Sequence, residues 1–267
     1  MRSEELEEEG FYLYGIVEAG RPFPSDLVGL GGRPVSLILY KNLAAVVSPS
    51  FFQPYPVDQE HAFLHEGVVE KVMAFGPILP MRFNTLLSER EHILFLLREH
   101  YDTFTAQLHR FQGKVEMGLK VLWDPEPVKK EFQISTRGIR FLGKEAQGPG
   151  RGYLLKRLEA HRIAEAVRER GEALIGRIQA AFAPLAVGSV VRRFPTERLL
   201  LDASYLVKEE DQEAFRAGLG SLGVEMPELS FLLTGPWPPY SFVPCSTFEV
   251  SSPSFLLPRK GGRRYRE

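Results

Sequence analysis

Lys114-Val-Glu-Met-Gly-Leu-Lys-Val-Leu-Trp-Asp124 alternates almost without fault. Val115, Met117, Leu119, Val121 and Trp123 fall on one side, and Lys114, Glu116, Gly118, Lys120 and Asp124 on the other, with Leu122 the one exception. A strict period of two puts one face of a strand on a core and leaves the other wet or lightly covered, the habit of antiparallel sheets. Just before it, Leu97, Tyr101, Phe104, Leu108 and Phe111 are spaced by four and three, so they form the buried stripe of a helix that Gly113 stops. Ser88-Glu-Arg-Glu91 reads as the capping box that opens this helix, with Ser88 as N-cap and Glu91 reaching back. A helix running into a half-buried strand is the unit of an α+β fold.

Outward from there the same two periods recur. Phe11 to Val17, Val35 to Tyr40 and Leu43 to Ser48 are rich in aromatic and β-branched residues and read as strands, with Lys41-Asn42 a tight turn between the last two. Gly20 to Pro34 and Pro49 to Pro56 read as loops. Asp58 caps a helix that runs to about Phe75 and stops at Gly76-Pro77, and Ile78 to Phe83 is a short strand candidate. Beyond Pro127 the pattern is ambiguous as far as Gly150, and Gln147-Gly-Pro-Gly-Arg-Gly152 reads as a linker. A charged helix follows from about Tyr153 to Phe182. Leu185 to Arg193, Arg198 to Val207 and Glu225 to Thr234 read as strands, with Asp211 to Leu219 a helix between the last two.

With 267 residues the chain exceeds the usual reach of one core. The expected fold class is α+β, in two domains, each an antiparallel sheet packed with helices. The expected boundaries are an acidic tail over 1–10, an amino-terminal domain over 11–127, a linker region over 128–152, a carboxyl-terminal domain over 153–245 and a basic tail over 246–267.

The net charge of −1 gives no global field to favour nucleic acid or an anionic membrane. Glu4, Glu5, Glu7, Glu8 and Glu9 make the start acidic, while Arg259, Lys260, Arg263, Arg264 and Arg266 make the end basic. Cys245 is the only cysteine, so a disulfide within one chain is excluded, which fits a reducing cytoplasm. The first residues lack the basic-then-apolar order of a signal peptide, and no apolar run is long enough to span a bilayer. The basic and acidic residues from Lys156 to Arg177 are mixed as on a solvated helix face, and no RNA-recognition signature is present.

Four segments hold candidate chemistry. His61 and His65 lie one helical turn apart, as metal ligands do, but in His-Ala-Phe-Leu-His without the glutamate of the zinc-protease pattern; His65 is also in phase with Val68 and Val72 and so edges the core. Gly148-Pro-Gly-Arg-Gly152 has the composition of a phosphate cradle without the Walker spacing, and an interdomain joint explains it better. Arg82, between apolar neighbours, is expected to be partly desolvated and to need a carboxylate or several carbonyls, in a structural pairing rather than a catalytic one. In Leu233-Thr-Gly-Pro-Trp-Pro-Pro-Tyr-Ser-Phe242, Gly235 and the prolines argue against central-strand pairing and make a stiff segment that carries Trp237 and Tyr240. Those rings either cap the chain's own core or serve a fixed docking role.

Taken together, Tyr12-Leu-Tyr-Gly-Ile16, Gly76-Pro-Ile-Leu-Pro-Met-Arg-Phe-Asn-Thr85, Gly113 to Trp123, Gly148-Pro-Gly-Arg-Gly-Tyr-Leu154, Ser204-Tyr-Leu-Val207 and Leu233 to Phe242 resemble the gas vesicle protein F/L family (GvpF/GvpL), in its order and over nearly the whole chain. Asn84 stands where the family pattern usually has glycine, and asparagine also tolerates left-handed backbone. The resemblance implies two α+β domains of modified ferredoxin-like type. It implies a non-enzymatic accessory or minor structural protein, in the cytoplasm and on gas vesicles, without cofactor or metal. It would contact the hydrophobic major shell protein (GvpA) and other accessory proteins, support shell nucleation and assembly, and be associated with the gas-facing side. The residues expected to contribute are Trp237, Tyr240, Phe242, Arg82, Tyr12 and Tyr14. The competing expectation is a metal- or cofactor-dependent enzyme on a ferredoxin-like fold, using His61, His65 and Arg82.

Overall fold

The computed structural model describes residues 9–142 and 149–243. The acidic residues up to Glu8, Cys245 and the basic stretch from Arg259 lie outside the described residues, as does the middle of the expected linker. The chain divides into two compact units, Met1–Glu116 with Pro236–Glu267, and Met117–Gly235. Both are α+β, an antiparallel sheet packed with helices.

The first unit is built on β1 (Glu9–Glu18), β2 (Ser36–Tyr40), β3 (Leu43–Phe51), β4 (Ile78–Pro80) and β5 (Leu86–Leu87), with α1 (Gln59–Met73), α2 (Arg90–Glu99) and α3 (Tyr101–Phe111). The sheet order is β2-β3-β1-β4, and β5 pairs with β1 beyond the end of β4. Lys41, at φ 52°, turns β2 into β3 as the Lys41-Asn42 reading requires. The β1–β3 register slips between Leu13 and Gly15, a bulge that frees Tyr14 from the ladder. Gly15 is needed where β4 crosses, because a Cβ there would lie 2.8 Å from the Leu79 carbonyl oxygen. Asp58 caps α1 by accepting from the His61 amide at 2.9 Å. Val68, Val69 and Val72 turn inward and complete a core with Tyr12, Tyr14, Val46 and Ile78.

The capping box at Ser88 does not form. Glu89 is the N-cap of α2 and makes no side-chain bond to the helix, while Ser88 Oγ lies 3.1 Å from His92 Nδ1. The single helix read up to Phe111 is broken at His100 into α2 and α3. The stripe Leu97, Phe104, Leu108, Phe111 keeps its period across that break, so the spacing carries no sign of it.

The second unit holds most of β6 (Lys114–Leu122) and β9 (Ser230–Trp237), with α4 (Glu126–Leu142), α5 (Pro149–Phe182), β7 (Gly188–Arg193), β8 (Leu199–Lys208) and α6 (Gln212–Glu225). The sheet order β7-β8-β6-β9, with helices after β6 and β8, is the split βαβ arrangement of ferredoxin-like folds. Leu174, Ile175, Ile178 and Phe182 of α5 and Phe215 and Leu222 of α6 are buried. Trp123, after β6, donates from Nε1 to the Glu197 carbonyl at 3.0 Å.

This division departs from the expected one at three places. β6 joins the sheet of the second unit, because a period of two fixes which face is buried but not which strands it pairs with. The stretch beyond Pro127, read as ambiguous and then as linker, lies in a helix that starts at Glu126 and runs to Leu142, and Pro149 already starts α5, where proline is tolerated in the first turn. After Gly235 the chain belongs to the first unit again. In addition, α6 continues past Leu219 through Gly220 and Gly223, because Leu222 and Met226 keep the buried spacing begun by Phe215. β9 runs through Pro236 to Trp237, which proline allows on an edge strand.

Candidate partner-binding surface

Tyr12 and Tyr14 stand two apart on β1, and both are fully buried. Their rings lie 4.8 Å apart, with Tyr55, His65 and Phe83 around Tyr12. The hydroxyls are engaged. The Asn84 amide donates to Tyr12 Oη at 2.9 Å, and Tyr12 Oη lies 2.9 Å from His65 Nδ1. His65 Nε2 lies 3.2 Å from the Met81 carbonyl oxygen, which can only accept. Nε2 therefore carries the proton, Nδ1 accepts, and the polar chain runs from Asn84 through Tyr12 and His65 to Met81. Burial pushes the His65 ring down to about 4, against the opposing pull of the Met81 carbonyl. Burial also raises both tyrosines above their ordinary value. Tyr14 Oη accepts from the Leu30 amide at 2.8 Å and lies 3.1 Å from Ser48 Oγ.

This chain of bonds shapes the turn between β4 and β5. Asn84 adopts φ 65°, the left-handed backbone expected at that position. Its side chain clamps Tyr55 from both sides, Oδ1 accepting from the Tyr55 amide and Nδ2 donating to the Tyr55 carbonyl, each at 2.9 Å. Thr85 closes the turn through its amide and its hydroxyl onto the Arg82 carbonyl. Met81 points into the core, whereas Arg82 is exposed and makes interactions of its own. The expected desolvation of Arg82 does not occur, because the turn leaves the sheet after Pro80 and directs alternate side chains in and out.

Trp237 is half-buried at the end of β9, and Phe242 is buried. Tyr240 is partly buried against the core of the first unit, its ring 6.5 Å from that of His65. Its hydroxyl has no hydrogen-bond partner among the described residues, and burial, then the nearby Glu66 charge, raises its pKa. The turn is held by Glu116, which accepts from the Ser241 amide at 2.8 Å and from Ser241 Oγ at 2.6 Å. Glu116 is only 6% exposed. The alternation had placed it on the wet face, and no feature of the local sequence signals that a returning turn covers it.

Of the residues singled out from sequence, the structure gathers Tyr12, Tyr14 and Tyr240 around His65. Tyr12, Tyr14 and Phe242 stand behind the surface rather than on it, while Arg82 and the open part of Trp237 reach solvent. His61 is turned to Asp58, with Nδ1 2.7 Å from Oδ1, and both His65 nitrogens are occupied, so the two rings do not converge on a shared point. Among the described residues no group of three or more His, Cys, Asp or Glu side chains is placed to share a metal ion.

The sequence reading missed the exposed apolar side chains Phe63 and Leu64 of α1, with Val57 before the helix and Phe75 after it. Val57 is 90% exposed, Phe63 63%, Leu64 44% and Phe75 45%. The signal was available: at 100° per residue, Phe63 and Leu64 fall away from the face that buries His65, Val68 and Val72.

The family model "Gas vesicle synthesis protein GvpL/GvpF" matches residues 10–244. Gas vesicle protein F of Streptomyces sp. (strain CB03234) is 30% identical over 239 residues, covering 87% of this chain and 98% of that protein. Gas vesicle protein L of the same strain is 28% identical, covering 86% and 91%. Gas vesicle protein L1 of Halobacterium salinarum is also 28% identical, covering 88% and 90%. The crystal structure of GvpF from Anabaena sp. PCC7120 superposes with a TM-score of 0.73 at 22% identity, over 88% of this chain and 95% of that one, and so shares the fold. A match along almost the whole described chain, with relatives named both F and L, makes this protein a member of the gas vesicle GvpL/GvpF family, with a gas vesicle-associated role.

Proposed function

We propose that this protein binds the hydrophobic major shell protein (GvpA) through apolar surface on its first unit, supports shell nucleation and assembly, and acts at the gas-facing surface. The observation that carries this reading is the exposure of Val57, Phe63, Leu64 and Phe75 on and beside one helix. Large apolar side chains grouped on a surface are the mark of a docking site. A shell subunit awaiting polymerisation exposes apolar surface of its own, and a rigid apolar counterpart holds it in a defined orientation without any bond being made or broken. Arg82 and Trp237 lie at the surface and extend the contact, with Tyr12, Tyr14, Tyr240 and Phe242 fixing their positions from within.

The test is capture of the major shell protein by the immobilised full chain. Phe63→Asp combined with Leu64→Asp lowers capture at least tenfold while circular dichroism stays unchanged, and Trp237→Ala with Tyr240→Ala lowers it less. Undiminished capture by a folded Phe63→Asp, Leu64→Asp protein overturns the reading.

A further inference from the structure

The outward face of α1 has a shape as well as a polarity. At 100° per residue Phe63, Gly67, Glu70 and the C-cap Ala74 follow one line, Leu64 borders it on one side, and Glu66 on the other. Gly67 sits in the middle of the helix, where glycine costs about 1 kcal/mol relative to alanine. A Cβ at Gly67 would meet nothing within 4 Å, so no internal packing asks for the missing side chain. The result is a notch at mid-helix, with exposed Phe63 and Leu64 one turn before it.

The Glu66 border is acidic. Burial, and next the charge of Glu70 one turn on, push the Glu66 carboxyl above its ordinary value. Lys71 is the one lysine or arginine of α1 and falls toward the opposite, Leu64, border.

We infer that this face seats an amphipathic helix of the partner, whose backbone crosses α1 at Gly67 and which places a basic side chain beside Glu66 and Glu70. This rests on the reading given under Proposed function and names the chemistry of the partner segment. A helix is the fitting occupant because it satisfies its own backbone. An extended strand laid across a helix face finds no ladder of donors and acceptors and would leave its amides unpaired. The missing side chain lets two helix axes approach more closely than ordinary ridges-into-grooves packing permits. An anionic membrane surface would be repelled by the acidic border, and a second copy of α1 would bring the same acids.

The experiment compares the full-length wild type with Gly67→Leu and with Glu66→Lys combined with Glu70→Lys. The probes are the purified major shell protein and a synthetic helical peptide of leucine and alanine flanked by lysines. Leucine is a better helix former than glycine, so Gly67→Leu leaves the fold intact or more stable while filling the notch. The expected result is at least a tenfold loss of binding to both probes in Gly67→Leu. The charge reversal loses several-fold at low salt, a loss that shrinks at high salt. Equal binding of the shell protein by wild type and Gly67→Leu overturns the inference and leaves the proposed function standing. Gly67-dependent binding of the peptide without binding of the shell protein supports the helix seat and overturns the proposed function. Binding of neither probe overturns both. Light scattering that shows a wild-type dimer dissociated by Gly67→Leu makes the occupant a second copy and overturns the inference.

Discussion

Tyr12 and Tyr14 of the first unit and Tyr205 of the second are buried, and their hydroxyls meet opposite fates, although Tyr240 of the first unit shares the unpaired state of Tyr205. In the first unit Tyr12 and Tyr14 each accept a backbone amide and reach a further partner, His65 in one case and Ser48 in the other. In the second, Tyr205 packs between Phe182 and Phe215, with centroids 5.5 and 5.4 Å away, and its hydroxyl has no hydrogen-bond partner among the described residues. Burial alone pushes Tyr205 up to about 12. The second core is therefore held by area and ring packing. The first adds to its apolar packing a polar chain that specifies one conformation of one turn, the turn that displays Arg82.

The largest expected effect tests the ring-packed core. Phe182→Ala removes one ring of an aromatic trio and costs about 3–5 kcal/mol, read by urea denaturation of the second unit. Next comes pH. The folded His65 ring stays neutral down to about 4, whereas its unperturbed value is 6.5. Between those values the unfolded chain takes up a proton that the folded chain refuses, so the stability of the first unit rises with pH through that window. It falls by about 3 kcal/mol as pH drops from roughly 6.5 to 4. His65→Gln removes this component, and an unchanged pH profile of stability in that variant would show that the proton sits elsewhere.

A matched pair of substitutions sharpens the contrast. Tyr12→Phe leaves the Asn84 amide and His65 Nδ1 without their partner and costs about 2 kcal/mol. Tyr205→Phe removes an unpaired buried hydroxyl and is neutral or stabilising by about 1 kcal/mol. Similar losses at both positions, by thermal denaturation, would erase the distinction between the cores. Asp58→Ala gives the smallest loss. It frees the first turn of α1 from its cap, seen as faster amide exchange at His61.

Much of this was legible in the sequence because local chemistry and global fold agree there. The alternation of β6, the Asp58 cap, the Lys41-Asn42 turn and the left-handed Asn84 all follow from steric and hydrogen-bond rules acting within a few residues. What escaped depends on distant partners. Glu116 reads as a surface acid until Ser241 returns to cover it. β6 shows its period but not the identity of β8 and β9 as neighbours. The glycines of α6 argue for a stop that the burial of Leu222 and Met226 overrides. The exposed face of α1 follows from the same spacing that buries His65 with Val68 and Val72 and turns Phe63 away from them.

Pro236 has a consequence for the open border of its sheet. It lies near the end of β9, the border strand of its sheet, and has no amide hydrogen to offer. Any foreign chain trying to template itself along that border meets a gap in the donor row. The sheet therefore ends at that border, where an edge strand without proline would stand open to extension.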